Sequence, residues 1–225
     1  MGIGDFVVKS ARPMPVIILA DTSGSMSVDG KIEALNLALK DMVLSFSKES
    51  RMNADIQVGL ITFGGEASMH LPLTSAHSIE EVQQLNAMGG TPMGQAFRVV
   101  KDLLEDKELI PSRAYRPVIV LISDGHPTDD IIEPFEQLIS SERANKATRL
   151  ALAIGSDADE AMLRDFGNDL EAPLFHAHDA RDIRNFFKAV TMSVSSRSRS
   201  QKPNEPMKLE FVNDELADDD LDIPL

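Results

Sequence analysis

Residues 16–25 read Val16-Ile17-Ile18-Leu19-Ala20-Asp21-Thr22-Ser23-Gly24-Ser25. Five apolar residues predict a strand covered on both faces. The run stops at Asp21, Ser23 and Ser25, three short oxygen-bearing side chains that would stand at the strand's carboxyl tip. Hard oxygen donors packed this closely suit a small divalent cation better than they suit a nucleophile. The fold must then supply the remaining ligands from elsewhere in the chain.

Outward from this strand, helical and strand patterns alternate. Ile32, Leu35, Leu39, Met42, Val43 and Phe46 recur at helical spacing and predict an amphipathic helix over 31–50. Strands are expected at 56–63, 68–73, 118–123, 149–154 and 174–177. Helices are expected at 79–85, from Thr91-Pro92 onward, and at 132–145, 159–166 and 180–194. Pro92 suits a first helical turn, where a missing N–H costs little. Strands alternating with helices imply an α/β fold: a Rossmann-like, doubly wound, mostly parallel six-stranded sheet with helices on both faces. The Gly64-Gly65 turn is too short for a crossover, so the strand at 68–73 should run antiparallel, at an edge.

With strand order 3-2-1-4-5-6, the first and fourth strands are neighbours where the winding reverses. Ligands in such sheets bind outside the carboxyl ends of the strands at that point. The first strand ends at Asp21 and the fourth at Ser123-Asp124-Gly125. A third polar cluster, Gly89-Gly90-Thr91-Pro92-Met93-Gly94, enters a helix nearby in such a fold. Asp21, Ser23, Ser25, Thr91 and Asp124 thus form one candidate metal site. Two carboxylates balance a divalent charge and three hydroxyls complete the geometry. Each element alone has a plainer explanation. Asp21 and Ser23 would make turns after a strand, Thr91 would cap a helix, and Ser123-Asp124-Gly125 is ordinary turn chemistry. Their joint occurrence favours the metal.

These three elements resemble the DxSxS, Thr and Asp elements of the von Willebrand factor A domain, whose metal-ion-dependent adhesion site they form. The resemblance spans residues 14–194. It implies that Ser23, Ser25 and Thr91 contact Mg²⁺ through their hydroxyls and that Asp21 and Asp124 bind it directly or through water. Mn²⁺ or another divalent cation would also fit. The vacant coordination position would take an acidic residue from a protein partner. More narrowly, Gly-Gly-Thr-Pro-Met-Gly, Tyr115-Arg116-Pro117 and Asp124-Gly125-His126-Pro127-Thr128-Asp129 are similar to the small bacterial A-domain proteins associated with tellurium resistance. That similarity implies a cytoplasmic adaptor in a stress-response or defence system, acting near a protein kinase and a PP2C-type phosphatase.

Composition narrows the alternatives. The chain has no Cys, which excludes disulfides, thiolate metal sites and cysteine nucleophiles. No apolar run approaches the length needed to span a bilayer, and residues 1–12 do not read as a secretory signal. The expectation is a cytoplasmic protein. A formal charge of −14 argues against nucleic acid as a partner. Residues 204–225 hold eight acids against one lysine, a net −7 that is half the total. The expected organisation is an A domain over 12–196, then a polar and basic linker and a disordered acidic tail over 197–225. A tail carboxylate within 214–222 would also be a candidate for the vacant metal position.

Catalysis has weak support. A phosphatase of the haloacid dehalogenase type needs a second acid where Ser23 stands. No Gly-x-Ser-x-Gly elbow surrounds Ser23 or Ser25. Gly89, Gly90 and Gly94 are not followed by the Gly-Lys-Ser/Thr of a P-loop. No residue is assigned a catalytic role. A metal-dependent hydrolase and a metal-free scaffold remain the alternatives. His176 and His178 lack a third ligand in the sequence, and His126 is a candidate partner contact beside Asp124. Met88 and Met93 flank the Thr91 loop and would either pack or line an apolar rim.

Overall fold

Strand β1, Arg12–Asp21, is buried from Pro13 to Asp21 because it lies in the middle of the sheet with helices on both sides. The computed structural model describes residues 11–49, 52–168, 174–205 and 209. Alternate side chains of β1 enter different cores. Val16, Ile18 and Ala20 pack with the helices α1 (Lys31–Ser47) and α6 (Ala180–Arg199). Ile17 and Leu19 pack on the opposite face with α2 (Met93–Glu105) and residues of α5 (Glu160–Phe166). This period-two division is what a doubly covered strand requires.

The remaining strands are β2 (Ala54–Gly64), β3 (Glu66–Ser75), β4 (Val118–Ser123), β5 (Thr148–Ile154) and β6 (Phe175–Ala177). The sheet order is β3-β2-β1-β4-β5-β6. All neighbours are parallel except β2 and β3, which form an antiparallel edge pair. The register places Asp21 opposite Phe63 and Ala20 opposite Ile122, so β1 and β4 end side by side where the winding reverses. Among the described residues no helix is long and apolar enough to cross a membrane.

Three local expectations are corrected. Residues 79–85 form no helix. A 3₁₀ turn at Ala76–Ser78 leads into irregular chain. Its backbone groups find partners elsewhere: Asn36 Nδ2 donates to Leu85 O at 3.0 Å, and Leu85 N donates to Asn36 Oδ1 at 2.8 Å. His70 Nε2 lies 3.0 Å from Gln83 O. Ile79, Val82 and Leu85 still turn toward the core, so the apolar spacing reported burial and not helicity. The helix expected over 132–145 is broken into α3 (Ile132–Ser140) and α4 (Glu142–Lys146), because Ser141 is extended and its side chain caps α4. The helix expected to end at 194 continues to Arg199.

That extension is held by Arg197, which is buried. Its Nε donates to Pro203 O at 2.8 Å and its Nη2 to Arg116 O at 3.1 Å. Arg116 N in turn donates to Asn204 Oδ1 at 2.9 Å. The chain therefore leaves α6 at the amino end of β4, the end of the sheet opposite Asp21 and Ser123. Of the acidic segment 204–225, only 204, 205 and 209 are among the described residues, so the suggested role of 214–222 at the metal position lies outside them.

Candidate metal centre

The strand ends put Asp21 and Asp124 in adjacent loops, both almost wholly buried. Two acids in such a place need partners, and each oxygen has one. Asp21 Oδ1 accepts from Ser23 N at 2.8 Å and Oδ2 from Ser123 Oγ at 2.6 Å. Asp124 Oδ1 accepts from Ser25 Oγ at 2.7 Å and Oδ2 from Lys31 Nζ at 2.7 Å. Ser25 Oγ lies 3.0 Å from Ser23 Oγ. The two loops are thus joined by a chain of hydroxyls ending on a carboxylate.

Thr91 approaches from the third loop. A Cβ built on Gly125 would lie 3.8 Å from Ser25 Oγ and 3.9 Å from Thr91 Oγ1, so both hydroxyls border one small space beside Gly125. Backbone bonds hold the loops in place. Gly24 N donates to Gly89 O at 2.9 Å, Met88 N to Thr22 O at 2.7 Å, and Thr128 N to Thr91 O at 2.9 Å. Thr91 N donates to Thr128 Oγ1 at 2.9 Å. The structure therefore brings Asp21, Ser23, Ser25, Thr91 and Asp124 to one end of the sheet. Ser25 is the exposed member and opens the group to solvent.

Thr91 is not the cap of α2. Helix α2 begins after Pro92 without a side-chain cap of its own. Asp129 does that work from another loop, accepting from Gly94 N and Gln95 N at 2.9 Å each. A carboxylate on free N–H groups at a helix start is favoured by the helix dipole. The Thr91 hydroxyl is consequently left for the space it shares with Ser25.

Burial pushes the Asp21 carboxyl above the ordinary aspartate range; hydrogen bonds from Ser123 and Ser23 pull it back, and the charge of Asp124 adds to the rise. The donors are all oxygens: two carboxylates and three hydroxyls, with no thiol or imidazole among them. Among the described residues no three His, Asp or Glu side chains gather into a cluster fit for a metal. This set matches a hard cation that keeps some of its water. Asp21, Ser23, Ser25, Thr91 and Asp124 are the residues that would hold one.

Other candidates fall elsewhere. His126 is exposed, with Nδ1 3.3 Å from Asp159 Oδ2. His176 Nδ1 lies 3.6 Å from Glu160 Oε1. Met88 is exposed on the Thr91 loop, whereas Met93 is buried in the core and lines no rim. Sequence reasoning missed Lys31, Ser123, Thr128 and Asp129. Ser123, Thr128 and Asp129 stood within the quoted stretches around Asp124 without a role assigned to them, whereas Lys31 carried no local signal.

The model of the von Willebrand factor type A domain matches residues 16–189. The chain is 27% identical over 247 aligned positions to inter-alpha-trypsin inhibitor heavy chain H4 of Sus scrofa, covering 88% of this chain and 26% of that protein. It spans about a quarter or less of the length of the curated relatives it matches first. Among solved structures, proximal thread matrix protein 1 from the mussel byssus, with a zinc-occupied metal-ion-dependent adhesion motif, superimposes with a TM-score of 0.64. The two are 17% identical over 81% of this chain and 48% of that one. The manganese-loaded TRAP protein of Plasmodium vivax gives a TM-score of 0.57, 18% identity and coverage of 81% and 74%. With the family model covering most of its length and the sheet order and helical layers described above, the chain belongs to the von Willebrand factor type A domain family.

Proposed function

We propose that this chain is a protein-binding module that holds a divalent cation at Asp21, Ser23, Ser25, Thr91 and Asp124 and meets a carboxylate of its partner there. The observation that carries this reading is the hydroxyl chain from Ser23 through Ser25 to buried Asp124, with Asp21 buried beside it. Burying two carboxylates is costly unless positive charge compensates them; Lys31 meets Asp124, whereas Asp21 has only neutral donors, Ser23 N and Ser123 Oγ. Support also comes from the zinc-occupied motif of the mussel protein and from the manganese-loaded Plasmodium protein.

A bound cation would supply an electrophilic centre able to take one oxygen ligand from outside. The chain's own residues do the rest. Asp21 and Asp124 provide the opposing charge, Ser23, Ser25 and Thr91 provide neutral oxygens, and exposed Ser25 marks the side from which a partner arrives. We assign no catalytic residue. Mg²⁺ is the proposed native ion. A bacterial stress-response or defence adaptor, working with a protein kinase or a PP2C-type phosphatase in the cytoplasm, is the setting that the narrower resemblance suggests.

Calorimetric titration with MgCl₂ and MnCl₂ tests the site. The wild-type chain should bind one ion, EDTA should remove it, and Asp21→Ala and Asp124→Ala should each abolish binding. A wild-type chain that takes up no ion, or wild-type affinity retained by either variant, would overturn the assignment.

A further inference from the structure

We infer that Lys31 tunes this site for an anionic ligand, lowering its hold on the cation while raising its demand for a carboxylate; the inference rests on the cation-site reading above. Lys31 is the first residue of α1, where the positive end of the helix dipole disfavours an ammonium group. The side chain is nevertheless only 18% exposed, and its Nζ lies 2.7 Å from Oδ2 of Asp124, whose side chain is fully buried. A cation placed against local preference, and tied to a buried acid, points to a role in the site.

The position of the bond matters. Asp124 uses Oδ1 toward Ser25 and the shared hydroxyl space, and Oδ2 toward Lys31. The ammonium group therefore sits on the outer oxygen and leaves the Ser25 side open. Gly155 lies beside the ammonium group, and a Cβ there would stand 3.8 Å from Nζ, an ordinary contact. A small cavity of about 160 Å³ beside it is bordered by Asp29, Asp157 and Asp179, yet Nζ is bonded to Asp124.

Charge then decides the preference. Asp21 and Asp124 alone would neutralise a divalent ion, and the loaded site would gain little from a further anion. With Lys31 in contact, the loaded site carries an excess of one positive charge. One carboxylate from outside returns it to neutrality. In a partly buried setting such an imbalance is weakly screened. The same ammonium repels the metal. Lys31 thus weakens metal binding and strengthens carboxylate binding, two effects of opposite sign.

Lys31→Met, Lys31→Gln and Lys31→Arg test this. Mn²⁺ affinity is read by electron paramagnetic resonance titration. Acetate affinity of the Mn²⁺-loaded chain is read by water-proton relaxation. Met and Gln should each bind Mn²⁺ about tenfold more tightly, the scale of groups that contact metal ligands, and acetate about tenfold more weakly. Arg should behave as wild type. A merely structural role would weaken both affinities together, and that result overturns the inference. So do unchanged Met and Gln affinities with Mn²⁺ binding intact in wild type. Wild type that takes no Mn²⁺ overturns the cation reading itself.

Discussion

Ser123 Oγ donates to Asp21 Oδ2 across 2.6 Å, joining the ends of two neighbouring strands that are 102 residues apart in sequence. Both residues are fully buried. The bond fixes one carboxylate oxygen while Ser23 N fixes the other at 2.8 Å. Ser123→Ala removes the first restraint and one of the influences that hold the Asp21 carboxyl down. Losing a buried hydrogen bond to a charged group costs about 1.5–3 kcal/mol of stability. Cation affinity should fall about tenfold, as for other groups that orient a metal ligand. A Mn²⁺ titration and a urea melt read the two effects. Wild-type values in both would show that Ser123 does not position Asp21.

Gly94, in the first turn of α2, lies tightly against the loop after β4. A Cβ there would lie 2.1 Å from Asp130 O and 3.0 Å from Asp129 Oδ2. Backbone cannot yield cheaply, so Gly94→Ala must push the helix start and that loop apart. The expected loss is about 1–3 kcal/mol, the range for overpacking. Amide exchange should rise at Gly94 and Gln95, which lose their bonds to Asp129. A stability equal to wild type would mean that the two separate freely.

The parts of this molecule that sequence alone revealed are those set by local period and residue type. The β1 run, the apolar stripe of α1 and the oxygen-rich tips at Asp21 and Asp124 are written in consecutive residues. The antiparallel edge pair follows from a turn too short for any crossover. What stayed hidden depends on distant partners. Nothing near Lys31 announces that its ammonium group will meet Asp124, 93 positions away. Nothing near Thr91 announces that Asp129 will cap α2 in its place. At 79–85 the apolar spacing was real, but Asn36 and His70 take the backbone groups a helix would have used, and tertiary contacts override the local pattern.

Asn36 is therefore a prediction in its own right. Its side chain makes both bonds to Leu85, on the segment that leads to Gly89 and Thr91. Asn36→Ala removes both and leaves the irregular chain without that anchor. At about 0.5–1.5 kcal/mol for each bond, the loss should be near 1–3 kcal/mol. Hydrogen exchange should accelerate at Leu85 and onward to Met88, with the β1 core unaffected. Protection unchanged at Leu85 would show that core packing of Ile79, Val82 and Leu85 suffices.

Asp179 gives the pH dependence with a definite sign. Its carboxylate caps α6, accepting from Arg181 N at 2.7 Å and Asp182 N at 3.0 Å. The backbone bonds from Asp182 and Arg181 hold it below its ordinary value of 3.8. Because the folded state resists protonation there, the unfolded chain binds the proton first as pH falls, and stability drops with it. The contribution is complete above 3.8 and disappears as pH descends through the lowered folded value. Asp179→Ala should thus melt below wild type at neutral pH, by an amount that shrinks steadily as the solution is acidified past the ordinary aspartate range. Thermal melts across that range check it. A gap that stays constant or widens in acid would place the benefit of Asp179 in something other than its ionised cap.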